Sequence, residues 1–240
     1  MPIPCSGCKK ECTSELVGTF ILVLVGPASI ILASSASWLP GEEALVLVAI
    51  AFGGTVAAVV FFLGKHSGAA INPAITVAVA SAKLLRKDLF VPYLFFQLVG
   101  GLLAGLTLRL FFLSFDNGSS LGSTKLANGI SPALGMSFEA IGTFVLASSA
   151  LVASTRMENN PRNQAVLVGT TLFVLIIFIG PLTGASFNPA RSLGPSLASG
   201  YAQNIYVYIA GPILGALAAG LLFRVIRDDR RNKRNLVCLC

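Results

Sequence analysis

The spacing of apolar and polar positions divides the chain into six long apolar runs, at 15–34, 44–64, 89–108, 136–155, 165–182 and 204–223. Each holds 18 to 21 residues with almost no charge, enough for a helix to cross roughly 30 Å of hydrocarbon. A shorter apolar piece follows the second run at 75–82, and another follows the fifth at 193–198, each introduced by Asn-Pro-Ala. Asn is a good helix N-cap and Pro suits the first helical position, so each motif predicts a helix start. A helix of about 7 to 10 residues reaches only about 10 to 15 Å and must end inside the bilayer. The irregular backbone before it is tolerated there only if it is buried in protein or lines a water-filled path. The pattern therefore predicts an all-α membrane protein with six transmembrane helices plus two re-entrant half-helices.

The same pattern repeats. Glu15-Leu16-Val17-Gly18-Thr19-Phe20 opens the first run and Glu139-Ala140-Ile141-Gly142-Thr143-Phe144 lies at the start of the fourth. Ser67-Gly68-Ala69-Ala70-Ile71-Asn72-Pro73-Ala74 follows the second run and Thr183-Gly184-Ala185-Ser186-Phe187-Asn188-Pro189-Ala190 the fifth. Three spans per half place the second half in the membrane upside down relative to the first, an inverted repeat about an axis in the membrane plane. The expected organisation is an N-terminal tail at 1–14, a first repeat at 15–113, a polar Gly/Ser/Asn-rich linker at 114–134, a second repeat at 135–226 and a basic tail at 227–240.

Composition narrows the function. Hydrophobic residues make up 55% and charged residues 11%, against about 25% charged in an average soluble domain. This excludes a soluble enzyme, a disordered chain and a nucleic-acid binder, although the net charge of +7 would by itself suit the last. The charge is topological. Lys9, Lys10, Lys65, Lys83, Arg86, Lys87, Arg156, Arg162 and the six basic residues from Arg224 to Arg234 fall on one side, leaving Arg109, Lys125 and Arg191 on the other. The positive-inside rule then predicts a multi-pass protein of the cell membrane with both termini cytoplasmic. We read the basic tail as a topogenic, solvated segment. No cleavable signal peptide is expected, because the polar start leads into an apolar run long enough to span. Cys5, Cys8, Cys12, Cys238 and Cys240 all fall in the two tails, on the reducing side, and are expected to be mobile thiols with neither disulfides nor a metal. The single His66 is expected at a cytoplasmic helix end in a solvated or capping role. Asn117-Gly118-Ser119 on the outer side matches the glycosylation pattern.

Two half-helices entering from opposite faces would present their positive ends to the midplane of a narrow path. Asn72 and Asn188 would cap them and donate to a passing water, while the positive potential opposes cations and protons. The residues thus favour a pore for neutral solutes without a cofactor. A secondary transporter built on the same kind of repeat is the alternative. It would need ionisable or ion-ligating groups near the midplane, and no run clearly offers them. With one His and no Ser/His/Asp set, nothing supports an enzyme.

With its paired motifs, its repeats and Arg191 directly after the second motif, the segment from Glu15 to Arg224 resembles the aquaporin, or major intrinsic protein, family. The resemblance implies a passive channel for water, with glycerol and other small neutral solutes as further cargo, assembled as a homotetramer in the lipid bilayer. It implies a selectivity filter of Phe52, Ile176, Ala185 and Arg191, a midplane of Asn72 and Asn188, and pore-lining backbone at Gly68, Ala69, Ala70, Gly184, Ala185 and Ser186. It also implies that Glu15 and Glu139 accept hydrogen bonds from the re-entrant loops, a structural role that we prefer to a proton relay. The chain departs from the water-selective pattern at Ile176, where His is usual, and at Ala70, another frequent His position. Ser192 stands where glycerol facilitators usually carry Asp. The combination is similar to archaeal water channels.

Overall fold

The structure, a computed structural model, describes residues 8–36, 41–157 and 159–237. Its helices in chain order are α1 (Lys9–Ser35), α2 (Gly41–Ser67), α3 (Pro73–Ser81), α4 (Phe90–Phe112), α5 (Pro132–Arg156), α6 (Pro161–Thr183), α7 (Pro189–Ser199) and α8 (Val207–Val237). Six of them, all but α3 and α7, are long and apolar enough to cross a membrane. The two short ones are the half-helices, of 9 and 11 residues, about 14 and 16 Å long at 1.5 Å per residue.

The packing follows the inverted repeat. Within each half the first span lies against the last, α1 on α4 and α5 on α8. Across the halves α2 packs on α6, while half-helix α3 lies against α8 and α7 against α4. Each half-helix is thus packed chiefly against the final span of the opposite repeat. Phe62, Val91, Leu110 and Phe178 stay exposed on the outside of the bundle, as apolar side chains do where hydrocarbon is the solvent.

Several helix ends depart from the apolar runs. Helix α1 starts at Lys9, before the run that begins at 15, and α6 starts at Pro161 under an Asn160 cap whose side chain accepts from the Asn163 N–H. Helix α8 begins later than its run, at Val207, and continues to Val237 through the basic segment. Hydropathy marks only the lipid-immersed part of a helix, whereas its ends are fixed by caps and by packing beyond the hydrocarbon.

The early start of α1 corrects the expectation of mobile N-terminal thiols. Cys8 and Cys12 are 5% and 3% exposed and pack with Leu89 and Tyr93. The Cys8 Sγ also lies 3.9 Å from Asp88 Oδ2. Cysteine here behaves as a small hydrophobe filling the seam between α1 and the start of α4. Cys5, Cys238 and Cys240 lie outside the described residues. His66 is exposed in the last turn of α2.

Contact between the halves depends on small residues where α2 crosses α6. A Cβ on Gly53 would stand 2.7 Å from the Gly169 carbonyl oxygen, and one on Gly169 would stand 2.6 Å from that of Gly53. The two backbones touch directly, as small residues allow in membrane bundles. Gly53→Leu is therefore expected to destabilise the protein by ~2 kcal/mol or more through overpacking. The adjacent Gly54→Leu, whose side chain meets open space, serves as the near-neutral control. Unfolding midpoints of the two variants in detergent check the difference.

Candidate functional site: a pore through the two repeats

Each re-entrant loop turns back through left-handed backbone. Gly68, Ala69 and Ile71 have φ of 83°, 47° and 43°, and Gly184, Ala185 and Phe187 have φ of 80°, 44° and 54°. For the non-glycine residues this conformation costs of order 1 kcal/mol or more each and persists only if the surroundings over-determine it. The surroundings do so by corresponding bonds in both halves. Glu15 accepts from the Ala70 and Ile71 N–H groups at 3.1 and 2.6 Å. Glu139 accepts from Ser186 and Phe187 at 3.0 and 2.7 Å. Ser67 Oγ accepts from Ala69 N–H and Thr183 Oγ1 from Ala185 N–H. The hydroxyls of Tyr93 and Tyr208 donate to the Ser67 and Thr183 carbonyls, each at 2.9 Å. The glycine of each Glu-x-x-Gly repeat makes room for the last loop side chain, since a Cβ on Gly18 would strike Ile71 and one on Gly142 would strike Phe187.

The loops deliver the two asparagines to one place. Asn72 Oδ1 accepts from Ala74 N–H at 2.8 Å and Asn188 Oδ1 from Ala190 N–H at 2.9 Å, capping α3 and α7. Their amide nitrogens reach across the pseudo-two-fold axis. Asn72 Nδ2 donates to the Phe187 carbonyl at 2.8 Å and Asn188 Nδ2 to the Ile71 carbonyl at 3.2 Å. An amide carries two N–H donors, so these bonds fix the side chains and leave a second donor on each. Capping by these amides is expected from the sequence; their bonds to the opposite loop are set by the tertiary structure.

A cavity of about 120 Å³ runs past this junction, room for several waters. Its wall includes Phe52, Arg191, Asn72, Asn188, Gly68, Ala69, Ala70 and Gln164. Most of the remainder is apolar, including Leu22, Val56, Leu146 and Leu172. The cavity wall includes Ser186 but not Gly184, Ala185 or Ile176. Ala185 and Ile176 are buried in the same cluster as Phe52, at 3% and 4% exposure.

Arg191 is 1% exposed, and its guanidinium lies 5.0 Å from the centroid of the Phe52 ring. Its Nη1 donates to the Gly122 carbonyl at 2.8 Å, while Nε has no partner among the described residues. The linker that supplies this carbonyl is tied by Asp116, which accepts from Ser119 and Leu121 N–H groups at 2.8 and 2.9 Å and from the Ser119 hydroxyl. Partial burial opposes ionisation of Asp116, but these hydrogen bonds outweigh it and hold the carboxyl below its usual range. The stabilisation is present at neutral pH and is lost as pH falls through that lowered value. Among the described residues, no three His, Cys, Asp or Glu side chains gather as metal ligands would.

The sequence profile of the major intrinsic protein family matches residues 5–223. The chain belongs to the major intrinsic protein family. Its relatives include Nodulin-26 of Glycine max, 33% identical over 91% of this chain and 78% of that protein. They also include the probable aquaporin AqpM of Archaeoglobus fulgidus, 32% identical over 92% of this chain and 98% of that one. In fold the chain is similar to the aquaglyceroporin from Plasmodium falciparum, with a TM-score of 0.78 at 22% identity over 92% of this chain and 95% of that one. This major intrinsic protein is a multi-pass membrane channel and not an enzyme.

Two parts of the site, Gly122 and Gln97, carry roles not expected from the sequence, and a third joins two serines that were expected at the site but not in contact. Gly122 is hidden in a polar linker, and its role depends on where a carbonyl points. Gln97 is wholly buried, donating to Glu15 at 2.7 Å and to Thr76 at 2.8 Å. An amide in the middle of an apolar run was the available signal. The serine pair Ser186 and Ser192, 2.6 Å apart, continues to Thr124 at 3.0 Å. Removing the carboxylate in Glu139→Ala would strip the Ser186, Phe187 and Thr183 donors of their acceptor, at ~1–3 kcal/mol for each group left unmet. The expected result is a large fall in unfolding midpoint together with loss of conduction, with Glu139→Gln intermediate. Thermal melts in detergent and vesicle flux assays on the three proteins check it.

Proposed function

We propose that the pore conducts water, and small neutral solutes at lower rates, while excluding ions and protons. The observation that carries the reading is the meeting of Asn72 and Asn188 in the wall of a narrow, mostly apolar cavity, each amide anchored across the axis to the other repeat. Two helix N-termini bring roughly half a positive charge each to this point. A water that accepts from both amides is oriented away from in-line proton relay, and the same field opposes cations. The positive Arg191 and the apolar wall add a second barrier to cations beside Phe52.

In this reading Phe52, Ile176, Ala185 and Arg191 form the filter, with Phe52 and Arg191 facing the lumen directly and Ile176 and Ala185 packed around them. Ile176 leaves the filter without a second hydrogen-bonding side chain. Of the expected pore-lining loop residues, Gly68, Ala69, Ala70 and Ser186 border the path, and Gly184 and Ala185 stand behind it. The charge distribution supports a place in the cell membrane with both termini cytoplasmic, and family membership supports a homotetramer with one pore per subunit. The two buried carboxylates, which a coupled transporter could use, are instead engaged by the loop amides.

Stopped-flow light scattering on proteoliposomes tests the reading. Water permeability well above that of protein-free vesicles is expected, and its absence would overturn the channel assignment. Asn188→Asp places a carboxylate at the midplane and is expected to raise cation leak in planar bilayers while the fold survives. An unchanged leak would remove the argument from the midplane field. Ile176→His narrows the filter and adds a donor, so glycerol flux is expected to fall relative to water flux in the same vesicles.

A further inference from the structure

Resting on the channel reading, we infer that Gly26 of α1 is a positioning residue that sets the aperture at Phe52 and Arg191. Neither Gly26 nor its neighbour Pro27 lines the cavity. Both nevertheless underlie groups that do so or that hold one that does. A Cβ on Gly26 would overlap the Phe52 ring at Cε1 and Cζ and stand 2.6 Å from Cδ1. The ring therefore rests on bare backbone of α1. One residue on, Pro27 supports the linker: Gly122 has φ of 68°, and a Cβ there would stand 2.7 Å from the Pro27 carbonyl oxygen and 2.8 Å from its Cα. The Gly122 carbonyl is the acceptor of the Arg191 guanidinium. A single turn of α1 thus seats both members of the Phe52–Arg191 contact.

The direction of the effect follows from packing. Phe52 is 5% exposed and belongs to the main apolar cluster, and close-packed surroundings yield little. The free volume adjoining the ring is the cavity. A methyl group at position 26 would drive the ring into that space and toward Arg191. Gly26 therefore permits the width that the aromatic ring and guanidinium leave between them, and the specificity of the constriction is decided partly by a helix that presents no functional group to it.

The test is a double-variant cycle of Gly26→Ala and Phe52→Leu in proteoliposomes, read with water, formamide, urea and glycerol. The readout is the permeability of the largest solute that the wild type passes, relative to water, or water flux per folded protein if water alone passes. Gly26→Ala is expected to lower this readout about threefold or more. In the Phe52→Leu background, which removes the ring, the same substitution is expected to change it by less than about 1.5-fold. No change in the first case, or an equal change in both backgrounds, overturns the inference. If Gly26→Ala does not yield folded protein by size-exclusion chromatography, recovery of folding in the double variant supports the contact and continued failure overturns it. A wild type that conducts nothing above protein-free vesicles removes the channel reading and this inference together.

Discussion

Backbone that leaves the helix inside a bilayer must find partners for its amides within the protein, because hydrocarbon offers none. The two wholly buried carboxylates, Glu15 and Glu139, meet that demand. Each takes two successive N–H groups from one re-entrant loop. With the Ser67 and Thr183 hydroxyls and the Tyr93 and Tyr208 bonds to the loop carbonyls, they define a backbone path that steric preference alone would reject. Positive φ at Ala69, Ile71, Ala185 and Phe187 is the result. The position of the asparagines depends on it, since each follows directly on the last residue so held.

From that constraint the pore is assembled by reciprocity. Each half-helix is packed by the closing span of the other repeat, and each Asn amide donates to the carbonyl just before the other Asn. The midplane is consequently braced from both repeats without covalent links. The symmetry breaks where chemistry differs along the path: Ala70 against Ser186, and Ile71 against Phe187. Gln97, which braces Glu15 and Thr76 in the first half, has no counterpart beside Glu139, where Thr183 supplies the third donor. One repeat therefore lends the lumen an apolar loop and the other a hydroxyl, and only the second carries an arginine after its motif.

The electrostatics follow from the same geometry. Arg191 is an almost fully buried cation whose acceptor among the described residues is the Gly122 carbonyl and which also faces the Phe52 ring. The isolated charge is costly in a membrane, and its unpartnered Nε keeps donor capacity beside the lumen. The linker that satisfies it is itself held by Asp116, so a segment outside the spans governs a group within the pore.

The sequence by itself determined the elements and their repetition. Length and freedom from charge specify spans, Asn-Pro-Ala specifies a helix start, and an odd number of spans per half specifies inversion, all from local rules that need no knowledge of contacts. Glu15 and Glu139 stood out in the sequence as acids at the start of apolar runs, but their role as loop acceptors was legible only through the resemblance to the family. The tertiary structure alone decided which groups meet across the repeats. The Asn72 bond to Phe187, the hold of Gly122 on Arg191 and the rest of Phe52 on Gly26 join residues 115, 69 and 26 positions apart. Glycine and a backbone carbonyl carry no chemical signature in a sequence. The same holds for Cys8 and Cys12, which read as tail residues and prove buried, because the end of a helix beyond the hydrocarbon is set by what packs on it and not by its hydropathy.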